Sequence, residues 1–353
     1  MNAMITVRPL AESEYQDWRR LVEDSPEGSI YSTSEYLRAL CAATGGRFTV
    51  LAAFRGNELA GGVALYEERA RWGTVVSPRL LLFYNGLVLR ARNTRYPSKR
   101  AAEIVEITKA LETAIRRSGY ARVCLKQRSS LNDVRVFQDR GWRARPTYTM
   151  MVPLVDLDAQ WGRVDQNLRR LIKRCAKMGI RCSEDDDFAS FFRMHLETHL
   201  RKRMRLYLPE DAFARFFRAL HENGLGRLFH ARLPDGESIA SQLVLVSGHP
   251  VSHTVAAAAD AAHLGLGANA FLRWKVFETL AQDGFSANDL TSATLDTVTR
   301  FKSQLGGTLE TCLEVERIDS VPMRIGEVFK KSTGRIRGLV GRVTASTKTR
   351  SSR

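Results

Sequence analysis

One order of elements runs through this chain twice, and that repetition limits the folds open to it. Between residues 48 and 154, and again between 226 and 318, the pattern reads two hairpin-like strands, a further strand, a long helix, a strand, a short helix and a closing strand. Phe48–Phe54 turns at Arg55-Gly56-Asn57-Glu58 into Leu59–Leu65, and Leu228–Leu233 turns at Pro234-Asp235-Gly236-Glu237 into Ile239–Leu245. The first long helix ends at Gly119 and the second at Gly284; Phe137 and Phe301 follow 18 and 17 residues later. A duplicated α/β unit of this size implies two stacked domains with a cleft, and clefts between domains are where ligands usually sit.

At 353 residues the chain exceeds one ordinary core and suits two domains of roughly 150 residues. It has no apolar run near 18 residues, so no transmembrane helix is expected. Ile5-Thr6-Val7-Arg8 begins a strand with no apolar leader before it, which points to the cytoplasm. Cys41, Cys124, Cys175, Cys182 and Cys312 are odd in number and scattered, as reduced thiols are, and do not space as a disulfide framework or a zinc site. The formal charge of +16 is uneven: Lys330, Lys331, Arg335, Arg337, Arg342, Lys348, Arg350 and Arg353 supply half of it, with no acidic residue among them. Residues 329–353 therefore read as a basic, disordered tail, either merely solubilising or able to touch RNA phosphates or an anionic membrane surface.

Between the repeats, Val164, Leu168, Leu171, Ile172, Cys175 and Met178 make one helical stripe ahead of Gly179. Arg163, Arg169, Arg170, Lys173, Arg174 and Lys177 crowd the opposite face; they form either a solvated surface or a phosphate-binding one. His195 and His199 are four apart but project onto an apolar stripe with Phe191, Phe192 and Leu196, the pattern of structural histidines rather than of a metal site. In the second repeat, strand Val251–Ala259 ends at Asp260 and passes through Gly265-Leu266-Gly267 into helix Ala268–Asp283. A glycine-bearing turn into a helix aims backbone N–H groups and a positive helix end at an anion, although many such turns are glycine for steric reasons.

Three segments resemble the FemAB-like branch of the GNAT N-acyltransferase superfamily. Trp161 to Gly179 is similar to its basic interdomain helix; Thr198 with Arg201 and Arg203 to its Thr-x-x-Arg segment; Gly265 to Gly307 to its Gly-x-Gly-helix-strand-Phe-Lys-x3-Gly-Gly ending. The resemblance implies an α/β fold of two tandem GNAT-like domains, residues 1–152 and 153–328, followed by the tail. It implies an N-acyltransferase whose acyl donor is aminoacyl-tRNA or acyl-CoA, with no bound cofactor and no metal, and whose amine acceptor is a cell-wall or polysaccharide precursor. The basic helix and tail are then the expected contacts for tRNA or an anionic membrane, in the cytoplasm or at the membrane's inner face. This chain departs from the coenzyme A loop by placing Ala262 where a glutamine or arginine stands.

Amide formation needs a proton acceptor and an oxyanion donor, and no covalent nucleophile. Lys302, at the Phe-Lys position, is the expected oxyanion or phosphate group, beside the Gly265–Gly267 turn; Asp260 and Asp289, each at a strand end, are the expected bases. His253, within a strand, is a less expected base. Arg170, Lys173, Arg174, Gly265, Gly267 and Arg203 are expected on the donor, and Tyr31, Tyr84 and Asn85 on the acceptor. Two other readings fit the same sequence: an acyl-CoA-dependent enzyme acting on an amino sugar or polysaccharide intermediate, and a catalytically silent scaffold binding RNA or membrane.

Overall fold

The structure is a computed structural model that describes residues 4–91 and 94–326; the basic tail lies outside the described residues. The first part holds β1 (Ile5–Pro9), α1 (Tyr15–Asp24), α2 (Ser34–Thr44), β2 (Arg47–Arg55), β3 (Glu58–Ala70), β4 (Gly73–Val76), β5 (Leu87–Leu89), α3 (Pro97–Arg117), β6 (Arg122–Lys126), α4 (Arg135–Asp139) and β7 (Arg143–Pro153). Then come α5 (Leu157–Arg163), α6 (Gln166–Lys177), β8 (Arg181–Glu184), α7 (Phe188–Arg201) and α8 (Glu210–Glu222). The second repeat is β9 (Gly226–Arg232), β10 (Ser238–Leu245), β11 (Val251–Ala259), α9 (Ala268–Gln282), β12 (Ala287–Asp289), α10 (Thr297–Gln304) and β13 (Thr308–Ile318). Gly119 and Gly284 follow the paired long helices with φ of +70° and +88°, the left-handed exit that glycine adopts without penalty.

The basic interdomain segment is two helices rather than one. Its chain breaks at Val164-Asp165, where the Asp165 carboxylate accepts from the Asn167 amide and caps α6. Leu168, Ile172 and Cys175 are buried, as the stripe requires.

Each repeat builds an antiparallel run that ends in one short parallel pair. β4 and β6 pair over two residues, β11 and β12 over three, and in each case the strands then part. The closing strands are exchanged. β13, from the second repeat, lies antiparallel beside β6, and β7, from the first, lies antiparallel beside β12. The two closing strands also pair with each other from Thr308↔Met151 to Glu316↔Arg143, centred on Cys312↔Thr147. Where two separate sheets were expected, the exchange therefore joins everything into one 13-stranded sheet.

The cores remain distinct. One cluster, with Leu111, Phe137, Trp142 and Leu125, belongs to the first repeat; another, with Phe271, Phe277, Ile239 and Leu305, to the second. A third spans the junction and joins Trp18, Tyr31, Tyr36 and Tyr84 to Phe191, Phe213, Phe216 and Leu243. β10 is buried along its whole length, covered on both faces although only β9 and β8 lie between it and the edge of the sheet.

Candidate active site

The last paired residues of β11 and β12 are His253 and Asp289, both fully buried, at the vertex where the two strands separate. β12 ends there because the Asp289 carboxylate accepts from the Thr291 amide at 2.7 Å and turns the chain. Thr291 and Ser292 then take φ of +52° and +31°, left-handed values that side chains disfavour. Lys302, on α10, stabilises this turn by donating to the carbonyls of Thr291 and Ser292, the latter at 2.7 Å. Phe301 is only half-buried against the second core, while Lys302 is buried.

Residues from both repeats converge on Asp289. Tyr84 Oη donates to Oδ2 at 2.7 Å, Thr149 Oγ1 donates to Oδ1, and His253 Nδ1 stands 3.5 Å from Oδ2. Burial opposes ionisation of this carboxyl, but His253, Thr149 and Tyr84 outweigh it and hold the group far below the usual carboxylate range. Burial also lowers the affinity of His253 for a proton, with Asp289 only partly offsetting it, so the imidazole is neutral near pH 7. Burial, then the Asp289 charge, raises the Tyr84 and Tyr31 hydroxyls well above their usual range, so both stay protonated. The ring centroid of Tyr31 lies 5.0 Å from that of His253. Tyr31 Oη and both His253 nitrogens have no hydrogen-bond partner among the described residues. The result is a polar nucleus in which one neutral base, His253, and one phenol, Tyr31, keep unspent hydrogen-bonding capacity beside an anion already bonded by Tyr84 and Thr149.

Asn85 serves differently. Its amide donates to the Cys124 carbonyl and accepts from the Lys126 amide, tying the loop before β5 to β6. Lys126 places its ammonium 3.3 Å from the Phe83 ring centroid, and Arg128 donates to the Gly28 carbonyl beside His249. Both cations are buried at the junction.

A second group of expected residues gathers at the other end of β11. Asp260 lies seven residues beyond His253, about 20 Å at the rise of a strand. Its carboxylate caps the following turn through the Ala262 amide and pairs with Arg193 at 3.1 Å; these contacts hold its pKa below the usual value. Arg174 donates to the carbonyls of Gly265 and Leu266 at 2.6 and 2.8 Å, which docks α6 on the glycine turn. Gly267 is required twice over, by a φ of +88° and because a Cβ would stand 2.7 Å from the Leu171 side chain. Arg170 and Lys173 are exposed on the outer face of α6. Arg203, at φ +53°, is exposed just past the end of α7.

A cavity of about 190 Å³ lies along β11 between the two groups in sequence, lined by Val255, Ala256 and Ala257 of that strand and by Leu81, His195, Thr198, His199 and Tyr207. Leu81 has a φ of +63°, held between the paired backbones of Arg79 and Leu82, and Arg79 reaches across to Tyr207 Oη at 2.5 Å. Burial, then His199, pushes His195 down to about 4, so the cavity wall is uncharged there. A volume of this size is below that of a drug-sized pocket and suits an acyl or aminoacyl group. Two sets of side chains, Asp185, Asp187 and His230, and Glu237, Asp260 and His263, bring three potential ligand atoms within 4.8 Å. Arg232 already engages both aspartates of the first set and Arg193 the aspartate of the second.

The structure thus joins Tyr31, Tyr84, Asp289 and Lys302 in one region, and Asp260, Gly265, Gly267 and Arg174 in another. Sequence reasoning undervalued His253 and missed Thr149 and Arg128. One signal was available: all seven histidines fall between residues 195 and 263.

Residues 162–303 match the family described as acetyltransferase (GNAT) domain. No curated protein matches the chain significantly. Among solved structures, FemX superposes with a TM-score of 0.71 at 13% identity, over 90% of this chain and 98% of that one. The C-terminal domain (DUF2156) of a putative lysylphosphatidylglycerol synthetase from Agrobacterium fabrum gives 0.57 at 13% identity, over 87% of this chain and 92% of that one. A tandem GNAT protein from the clavulanic acid biosynthesis pathway gives 0.54 at 12% identity, over 89% and 98%. The protein is a tandem GNAT-fold protein, and its residues 162–303 match the GNAT acetyltransferase domain. The likeness to FemX is one of fold across nearly the whole of both chains. No helix among the described residues is long and apolar enough to cross a membrane.

Proposed function

We propose that this protein is an N-acyltransferase that forms an amide on an amine of a cell-envelope precursor, with aminoacyl-tRNA as donor. The observation that carries the reading is the His253–Asp289 pair at the vertex of the parted strands, two residues along β11 from Val255, which lines a cavity of acyl size. A neutral imidazole can take the proton that the attacking amine loses, whereas a carboxylate held far below its usual range is a poor acceptor. Asp289 then acts as the positioning group that orients His253, and His253 replaces the aspartates as base. Burial and the Arg273 charge push Lys302 down to about 8, so it is still mostly cationic at pH 7; with two protons on carbonyls, its third can meet a developing oxyanion. Tyr84 and Tyr31 would face the acceptor, with Asn85 fixing the loop that carries Tyr84.

At the far end of β11, Gly265 and Gly267 would receive donor phosphates at the start of α9, with Asp260 and Arg174 bracing the turn. Arg170, Lys173 and Arg203 would extend that contact along a polyanion. The same turn also suits coenzyme A, which makes acyl-CoA the second donor to try. The likenesses to FemX and to a putative lysylphosphatidylglycerol synthetase support an envelope amine or lipid acceptor without naming it.

The test supplies the full-length protein with labelled aminoacyl-tRNA or acetyl-CoA and an amine-bearing peptidoglycan precursor. Transfer from aminoacyl-tRNA, slowed about 10²-fold or more in Lys302→Met with substrate affinity little changed, is expected. Binding of tRNA regardless of charging, without transfer from either donor, would favour a scaffold.

A further inference from the structure

One wall of the cavity beside β11 is a turn made of residues that water does not favour in turns. The Arg79 amide donates to the Leu82 carbonyl at 3.1 Å and the Leu82 amide to the Arg79 carbonyl at 2.9 Å. Leu80 and Leu81 are therefore the whole loop. A left-handed φ at the second position of such a loop is ordinarily met by glycine or asparagine. Here Leu81 takes it, at +63°, and is held by burial and by Tyr36 Oη, which donates to its carbonyl. Leu80, at the tip, is left 55% exposed.

The loop after α7 stands beside this tip, since Leu80, Lys202 and Met204 line the cavity together. The Met204 amide donates to the His199 carbonyl at 2.9 Å and the Arg203 amide to the Leu200 carbonyl at 3.0 Å, which folds the loop back on the helix end. Met204 is 56% exposed and Leu200 67%. Single exposed apolar side chains are ordinary, but three on two adjacent loops form a patch that water disfavours. Arg201, Lys202 and Arg205 are exposed among them, and their side chains have no ion pair or hydrogen bond among the described residues. The chain carries no acidic residue between Glu197 and Glu210.

We propose that this face docks on an anionic lipid bilayer, with Leu80, Leu200 and Met204 entering the interfacial layer and Arg201, Lys202 and Arg205 meeting lipid phosphates. Charge sets the sign of the partner and side-chain type sets its class. A nucleic acid would satisfy the cations but offers bases that aromatic side chains stack on, and the exposed apolar side chains here are all aliphatic. A second copy of the chain would bring like charges together. The face stands without Arg203, the cation of the same loop given above to the donor. Because it borders the cavity proposed for the acyl group, a lipid-borne amine would reach that cavity from the bilayer; this consequence rests on the proposed reaction, and the docking does not.

The test is co-sedimentation of the full-length protein with vesicles of equal parts phosphatidylglycerol and phosphatidylcholine, and with phosphatidylcholine alone. Wild type should bind the anionic vesicles about 10²-fold more tightly. Replacing Arg201, Lys202 and Arg205 together with Gln should remove about 10²-fold of that affinity, and replacing Leu80, Leu200 and Met204 together with Ser about tenfold or more. All six residues are exposed, so both variants should fold as wild type does. Basic segments elsewhere can hold anionic vesicles by charge alone, but only insertion places a side chain among acyl chains. Fluorescence of Leu80→Trp should therefore be quenched by lipids brominated on their acyl chains, beyond any quenching in wild type. No vesicle binding by wild type, undiminished binding by both triple variants, or no added quenching in Leu80→Trp would overturn the proposal. So would loss of tRNA binding in the Gln variant with vesicle binding intact, which gives the patch to RNA. Self-association of wild type that the Ser variant abolishes, without vesicle binding, would give it to a second copy. Vesicle binding without acyl transfer would leave the docking standing, and transfer to a water-soluble acceptor without vesicle binding would remove the docking alone.

Discussion

The two parallel pairs of this protein have the same architecture and opposite chemistry. In the first repeat the final pair is Val76 with Val123, both buried in a cluster with Leu125, Leu87, Phe137 and Val315. In the second it is His253 with Asp289, surrounded by Tyr31, Tyr84 and Thr149. The helices that lead into β6 and β12 differ in the same sense. α3 begins with Pro97, whose fixed φ suits a first turn, whereas α9 begins at left-handed Gly267 beneath the basic α6. At this vertex one half of a duplicated fold is filled with apolar side chains and the other with polar ones. The first repeat still contributes, since Tyr31, Tyr84 and Thr149 reach the second vertex across the exchanged strands.

The largest expected difference between the vertices is in stability. Asp289→Ala leaves the Tyr84 and Thr149 hydroxyls and the Thr291 amide without their acceptor, at a cost of about 3–5 kcal/mol. Val123→Ala removes only apolar contact and should cost roughly half that or less by urea unfolding. Equal costs would mean that the polar vertex is not held by these bonds. Glycines sharpen the contrast at a smaller scale. Gly267→Ala must accept both a left-handed φ and a clash with Leu171, about 2–4 kcal/mol. Gly119→Ala faces the same backbone penalty in open space, about 1–2 kcal/mol. A Gly119 variant as unstable as the Gly267 variant would show that the docking of α6 contributes nothing.

The paired glycines and phenylalanines were legible because turns and helix exits leave local marks, and Gly119, Gly267 and Gly284 all adopt the positive φ that their positions imply. The strand exchange was not. β7 and β13 carry similar local patterns, and nothing within either says whether its neighbour will be β6 or β12. Lys302 shows the same limit: its place on a short helix could be read, but its burial depends on a turn ten residues away in the chain. His253 looked like an ordinary strand residue until its register with Asp289 was known.

Acid should separate the repeats by a still smaller amount. His195 and His249 are pushed down to about 4 and about 3, chiefly by burial, and both belong to the second half. Their folded-state values lie below the unfolded value near 6.5, so their stabilising contribution is complete above pH 6.5 and is lost as pH falls. Between pH 6.5 and 4.5 the second half, α7 included, should lose about 1–3 kcal/mol of protection by hydrogen exchange, and the first repeat, which has no histidine, much less. His195→Phe, placed among Phe191, Phe192 and Phe213, should flatten part of that slope; uniform loss across both repeats would contradict the assignment.

The chemistry assigned to the second vertex is tested most directly by the pH dependence of single-turnover acyl transfer in wild type and in His253→Gln, with Val123→Ala as the matched change at the first vertex. The wild-type rate should rise with pH through a titration below 6.5, set by His253, and the glutamine variant should lose this limb and about 10²-fold or more in rate. Val123→Ala should keep both. A His253→Gln enzyme that retained the wild-type rate and the acidic limb would contradict the account.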